Sequence, residues 1–556
     1  MDLANPATDR PLFLGTRHMV SAGHPLAAMA GFSVLAAGGN AVDAGVAAGF
    51  ALNVVQPDMA NLGGVAPIIL HLAAPRKTTT ISGIGRWPNA ATLEAVSQAG
   101  GGRIPVSPAR WVVPAAVDAW LTALARYGTF SVADALAPAI ELAERGFPAN
   151  YFIRHNLTVS APIIRDFEET GRAFYPQGRV PAAGEPIRQP GLAETLRMLV
   201  AAEQKAGGPR EAGIAAARDC FYKGEIAQSI GKFAGEVGAF LTAEDLAAFH
   251  VREEPAVVTD YRGVSVHACG PWSQGPALLE MLNMVEGFDP KSLSEADGAH
   301  AMIEAAKLAL YDRNRFYGDP DFVDVPMARL LSKSHGDMLR RRIDFKRAGD
   351  PIDEAAATGS PSPDTTYVCV IDAAGNAFSA TPSDSTMLVT PTVPGLGFGI
   401  SDRGLQASLD STDPNCIAPG KRPRLTPNPG IVIGPDFVMP YGTPGGEVQT
   451  QAMLQFLVNH LDRGLDLQAA IEAPRWASFA IPATEDPHAR QPQTVCLEEP
   501  LARTIAGELE GKGHVVKRWP ARAALAGGVC AVRREGRTGV VAGAADPRRM
   551  GYAVGW

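Results

Sequence analysis

The sequence predicts a mixed α+β fold, helix-rich in its longer first portion and strand-bearing toward its end. Apolar residues recur at helical spacing through many segments before about residue 316. Short β-branched runs bounded by turn residues appear near 65–82 and again after 365. No internal repeat or low-complexity tract organises the chain differently.

The first helix is read over Pro25–Ala37, where Leu26, Ala30, Phe32 and Leu35 share a face and Gly38-Gly39 stop it. Asn40 then caps a second helix, with Asp43 as the reciprocal acid. Small residues on every side of that helix (Ala44, Gly45, Ala47, Ala48, Gly49) predict burial between layers, and Gln56-Pro57-Asp58 ends it. Strands follow at Val65–Leu72 and Thr78–Ser82. Further helices are expected at Pro114–Tyr127, Val132–Arg145, Ala193–Lys205, Pro276–Val285 and Ala299–Arg315. Ala355–Pro363 reads as a linker. It runs into Asp364-Thr365-Thr366 and a strand at Val368, then a turn at Ala373–Asn376 and a second strand, Ala377–Thr381. After a long loop region, 384–424, come a strand pair near Ile431–Val438, a glycine turn, Tyr441–Gly446, and a helix from Glu447 to Leu461. Strands near Gly528–Arg533 and Val540–Gly543 close the chain.

The 556 residues are 46% apolar and 19% charged, enough for a large core, whether as two to four domains or one large sandwich. A net charge of -8 and a pI near 5.8 argue against nucleic acid or an acidic membrane as partner. No apolar run has the length of a membrane span. The first residues lack the basic-then-apolar pattern of a secretory signal, so the cytoplasm is the expected location. Six scattered cysteines show no zinc spacing and fit reduced thiols. Phosphate-loop, dinucleotide, zinc-protease and serine-elbow motifs are missing, so no cofactor and no metal are expected. His267 and His300 read as structural imidazoles, and Trp87, Trp111 and Trp272 as packing residues.

Read together, these segments resemble the γ-glutamyltranspeptidase family of N-terminal-nucleophile hydrolases. The carrying motifs are Gly38–Ala44, Asn61-Leu62-Gly63-Gly64, Leu241–Leu246, Glu304-Ala305, Asp312-Arg313 and Gly318-Asp319-Pro320. Asp364-Thr365-Thr366, Asp372 with Gly375-Asn376-Ala377, Pro419–Pro423 and Gly442–Gly446 continue the series in order. The resemblance implies a four-layer αββα sandwich, made as a precursor and cut between Asp364 and Thr365. Residues 1–364 and 365–556 would then stay associated as one intertwined domain, with a homodimer of processed units compatible with that picture. Thr365 would be the nucleophile, Gly445 and Gly446 the oxyanion hole, and Ser383 a second hydroxyl beside the nucleophile. Thr426 would lie near the substrate carboxyl end, with Leu425 where the family has a second serine. On residues alone, a threonine opening a strand is ordinary. A threonine that begins a chain is different, because its own α-amine can take the hydroxyl proton.

The chain also departs from the family pattern. The arginine expected to hold a glutamyl α-carboxylate is replaced by Ile84, with Arg86 two residues on. The loop expected to supply acids for the α-ammonium reads Ser401-Asp402-Arg403-Gly404-Leu405-Gln406. A cation there disfavours an ammonium. The resemblance implies a small-molecule γ-glutamyl or related acyl amide as substrate, its acyl group released to water or an amine. Arg403, Arg86, Gln406 and Asp402 suggest as the alternative substrate an anionic amide that lacks an α-ammonium, such as oxamate, and disfavour glutathione. The alternative is a non-cleaving, non-catalytic scaffold of the same fold; a metal-dependent hydrolase has no ligand cluster in the sequence to support it.

Overall fold

The computed structural model describes residues 8–165, 167–289, 292–352, 365–384 and 390–556. The linker 355–363 and Asp364 lie outside the described residues.

Fourteen strands form two seven-stranded antiparallel sheets. In chain order they are β1 (Phe13–Gly15), β2 (Met19–Ala22), β3 (Ile68–Leu72), β4 (Lys77–Ile81), β5 (Glu253–Pro255), β6 (Val257–Tyr261), β7 (Val264–Ala268), β8 (Val368–Ile371), β9 (Ala377–Ala380), β10 (Gly430–Ile433), β11 (Phe437–Gly442), β12 (Cys530–Glu535), β13 (Val541–Ala545) and β14 (Tyr552–Gly555). One sheet runs β14-β2-β8-β9-β3-β4-β5 and the other β1-β13-β12-β11-β10-β7-β6.

The alternation of side chains along β8 defines the layers. Val368 and Val370 point into a core shared with helices α1 (Pro25–Ala36) and α2 (Ala41–Val55). Cys369 and Ile371 point the other way, against Ile431, Cys530 and Val532 of the facing sheet. That facing sheet buries Val266, Val432 and Met439 under α3 (Gly275–Val285), α4 (Glu295–Phe316) and α5 (Val448–Leu457). A strand buried on both faces must be apolar throughout, which is why this one reads as an unbroken run. The layers are helix, sheet, sheet, helix: the αββα sandwich.

Local signals were read closely. Asn40 and Asp43 form a reciprocal capping box, and all fifteen residues of α2 are buried. Gly38 stops α1 with φ 98°. The helix expected over 447–461 ends earlier, at Leu457, and continues as a π-helical turn, Val458–Asp462. Among the described residues no helix is long and apolar enough to cross a membrane.

Candidate active site

Thr365 precedes β8 by three residues and is fully buried. Its backbone N–H donates to Met59 O at 3.2 Å, and Asp384 N–H shares that carbonyl at 3.0 Å. The two loops on either side of the β8–β9 hairpin therefore close on one point of the turn after α2. Thr365 has φ 84°, a region that costs a β-branched residue about 1–3 kcal/mol.

Thr365 Oγ1 lies 2.6 Å from Ser383 Oγ, and Arg403 Nη2 donates to the same Ser383 oxygen. Arginine can only donate, so one lone pair of Ser383 is committed to it. The other lone pair and the O–H of Ser383 remain, so either hydroxyl of the Thr365–Ser383 pair can be the donor. Arg403 and Ser383 thus form a polar chain that ends on Thr365 Oγ1. Arg403 is 1% exposed and its Nε stands 3.9 Å from the Asp384 carboxylate, which balances the buried cation. Asn61 holds this corner from beneath: its Nδ2 donates to Asp384 O at 3.3 Å and its Oδ1 accepts from Gly63 N at 2.8 Å. Asn61 and Asp384 were not singled out from the sequence as parts of the site; the signal for Asn61 was its place in the Asn-Leu-Gly-Gly motif.

Gly445 and Gly446 follow β11, across the sandwich. A Cβ on Gly442 would sit 2.3 Å from the Tyr367 ring, so the end of β11 lies directly against the start of β8. Gly445 and Gly446 have φ 128° and 54°, which glycine adopts most readily. Among the described residues neither backbone N–H is spent on an acceptor, so both can donate to a bound group.

The other predicted residues fall into two groups. Gln406 and Thr426 meet: Gln406 Oε1 accepts from Thr426 N at 3.1 Å, and its amide donates to Thr426 Oγ1 at 3.4 Å and to Glu485 at 3.1 Å. Gln406 belongs to the same short turn as Arg403 (Arg403–Gln406), which ties this cluster to the surroundings of Thr365 and Ser383. Asp402, the one acid of that loop, is paired at 2.7 Å with buried Arg110. Arg86 is directed to Gly420 O at 3.3 Å and Asp321 at 3.6 Å, and among the described residues no hydrogen bond or ion pair joins it to Thr365 or Ser383.

Two buried clusters have the composition of metal ligands, His300/Glu304/His514 and Glu280/Asp312/His335. In the first, Lys307 Nζ lies 2.6 Å from Glu304 and supplies the positive charge itself, while burial pushes His514 down to about 3. His300 bonds His514 at 2.8 Å and Asp344 O at 3.0 Å. In the second, His335 bonds Asp312 at 2.7 Å, Tyr317 donates to Glu280, and burial raises the Glu280 carboxyl well above its ordinary value. Each set is partly bonded internally, with Glu280 Oε2, Glu304 Oε1 and His514 Nδ1 left without a hydrogen bond among the described residues. Burial also pushes His267 down to about 4, and Trp87, Trp111 and Trp272 are buried as packing residues.

A model of the family described as gamma-glutamyltranspeptidase matches residues 27–556. The glutathione hydrolase-like YwrD proenzyme of Bacillus subtilis (strain 168) is 32% identical, covering 98% of this chain and 99% of its own. The acylase ACY 1 proenzyme of Pseudomonas sp. (strain SE83) is 33% identical, over 97% of this chain and 94% of its own. The crystal structure of a cephalosporin acylase from Bacillus halodurans superposes with a TM-score of 0.85 at 31% identity, covering 100% of this chain and 99% of that one. With the threonine at the mouth of β8, the glycine pair beyond β11 and a match along almost the whole length, the chain belongs to the gamma-glutamyltranspeptidase family.

Proposed function

We propose that this protein is a precursor cut between Asp364 and Thr365, and that the freed Thr365 is the nucleophile of an amidohydrolase acting on an anionic acyl amide. The observation that carries this is the 2.6 Å contact of Thr365 Oγ1 with Ser383, itself held by Arg403.

Before the cut, the Thr365 nitrogen is an amide with no basic lone pair. Afterwards it is an amine with a reference pKa of about 7.7–8.0, beside the hydroxyl it must deprotonate. Attack on the substrate carbonyl passes the hydroxyl proton to this amine and the negative charge to the carbonyl oxygen, which the Gly445 and Gly446 N–H groups receive. Collapse expels the leaving amine, which takes the proton, and leaves an ester on Thr365. Water, with its proton taken by the same α-amine, releases the acid and restores the hydroxyl. The strained φ of Thr365 exists only while residue 364 is attached, so scission relieves it.

The substrate class follows from charge. Arg403 places a guanidinium next to the reacting centre, with the Asp384 carboxylate 3.9 Å from its Nε, and Asp402 is already committed to Arg110. An α-ammonium would meet Arg403 with the one acid of the 401–406 loop already paired, which favours an acyl group without an ammonium. The six cysteines all stand as free thiols, four of them buried, which supports a reducing, cytoplasmic setting.

γ-Glutamyl-p-nitroanilide and glutaryl-p-nitroanilide differ only in the α-ammonium, so their kcat/KM ratio tests the reading directly. The glutaryl amide is expected to be hydrolysed at least about 10-fold faster, equivalent to roughly 1.4 kcal/mol, with oxamate as a second anionic probe. Preferred turnover of the γ-glutamyl amide would remove the charge argument. Thr365→Ala is expected to run as one uncut, inactive band on a denaturing gel; a cut or active variant removes the nucleophile.

A further inference from the structure

The glycine turn beyond β11 is gripped from behind by three buried side chains that the chemistry above leaves without a task. Gln274 Nε2 donates to Gly446 O at 2.8 Å. Gln274 Oε1 accepts from Arg313 Nη1 at 3.0 Å, and the same guanidinium donates to the Glu447 carboxylate. Glu447 Oε1 completes the set by accepting from Thr484 N at 2.6 Å. Gln274 and Arg313 are fully buried.

The orientation of this set is dictated by chemistry. An amide side chain can be turned either way, but arginine offers only donors. The Gln274 oxygen must therefore face Arg313, and its NH2 must face the Gly446 carbonyl. Arg313 is in turn held by Glu447: burial acts to raise that carboxyl, but the guanidinium and the hydrogen bonds from Thr484 together leave it below its ordinary value. The pair is an ion pair, and its charge locks the amide.

Such a lock matters because Gly445 and Gly446 have the freest backbones of any residue type. Their N–H groups stabilise an oxyanion only if both point at one place before the substrate arrives. Gln274 immediately precedes α3 and Arg313 lies on α4, both ahead of residue 365, while the turn comes after it. The grip therefore reaches from one side of the expected cut to the other.

We propose that Gln274, oriented by Arg313, is a positioning residue that anchors the Gly446 carbonyl and so limits the rotation of the Gly445-Gly446 backbone, keeping the Gly445 and Gly446 N–H groups converged on the acyl oxygen. The proposal rests on the oxyanion role given to those glycines above. Gln274→Leu removes both hydrogen bonds at similar volume. Gln274→Glu keeps an oxygen toward Arg313 but turns an oxygen on the Gly446 carbonyl.

Each variant is assayed with whichever of the two p-nitroanilides the native protein turns over faster, and kcat is expressed per cleaved chain counted on a denaturing gel. In both variants kcat is expected to fall about 10-fold or more, with KM within about twofold. A purely structural residue would lower Tm and the yield of folded chain, but not kcat per cleaved chain. Native kcat in both variants overturns the proposal while leaving the glycine reading intact. A Gln274→Glu chain that folds with native Tm but stays uncut also overturns it, since the grip would then serve scission rather than acyl transfer. Failure of the underlying reading shows separately, as activity in Thr365→Ala.

Discussion

At the scale of single residues, one short contact organises the proposed site. Arg403 donates to Ser383, whose hydroxyl lies 2.6 Å from Thr365 Oγ1 and is placed to donate to it once the Thr365 proton has passed to the α-amine. Ser383→Ala removes the hydroxyl that supports the developing alkoxide, so kcat is expected to fall roughly 10- to 100-fold with little change in KM. Steady-state kinetics on processed protein checks this, and an unchanged kcat would reduce Ser383 to a bystander. Asp58 makes a different prediction. It immediately precedes the carbonyl shared by Thr365 and Asp384, and burial pushes its carboxyl up to about 6 from 3.8, with Asn156 bonding it at 2.7 Å. A raised acid is neutral in the fold at low pH and ionises at a cost. Stability is therefore lost as pH rises from 3.8 to about 6 and stays lower above that, by about 3 kcal/mol. Asp58→Asn escapes this loss. Its Tm advantage over the native chain is expected to be small at pH 4 and to widen by pH 7.5; a constant gap would mean Asp58 does not titrate in that window.

At the scale of elements, α2 is anchored by one carboxylate. Asp43 accepts from Asn40 N at its own cap and, beyond it, from Thr129 N, Thr129 Oγ1 and Phe130 N, all at 2.7–3.0 Å. It thus ties the start of α2 to the turn after the helix Ala116–Tyr127. Asp43→Ala removes the buried acceptor shared by these part-buried donors, and is expected to cost about 1–3 kcal/mol, read as a lowered Tm or denaturant midpoint. The cap itself was legible because an Asn with an acid three residues on is a local signal. So was the β8–β9 hairpin, where Gly375 at φ 87° makes the turn that its sequence announces. The contacts that Asp43 makes at residues 129–130 were not, and neither was the grip of Gln274 on Gly446. Such pairs join segments far apart in sequence, and no periodicity records them. Ser383 shows the boundary: its run of prolines and serines reads equally well as a solvated loop, the family resemblance set its hydroxyl beside Thr365, and the folded chain brings the two oxygens to 2.6 Å. β14 escaped for a related reason, since Tyr552–Gly555 pairs with Met19–Ala22 from the opposite end of the chain.

At the scale of the whole molecule, the order of strands bears on what scission can do. In one sheet β8 and β9, both after residue 365, lie between β2 and β3, both before it. In the other, β1 lies at one edge and β6 with β7 at the opposite edge, around four strands from the later part. Separating the pieces would strip β8 and β9 of both flanking ladders and open an interface whose residues, from Val20 to Ile371 and Phe378, are fully buried. Loss of one peptide bond leaves all of those hydrogen bonds and contacts in place. The cut protein is therefore expected to elute as one species containing both pieces under native conditions. The pieces should part only in the denaturant range where the far-ultraviolet circular dichroism collapses, in a single transition shared by both. Size-exclusion chromatography across a urea series, with denaturing gels of each fraction, reads both quantities on one sample. Pieces that separate while secondary structure persists would mean that the two portions are independently stable, and that the interleaving of strands does not hold them together.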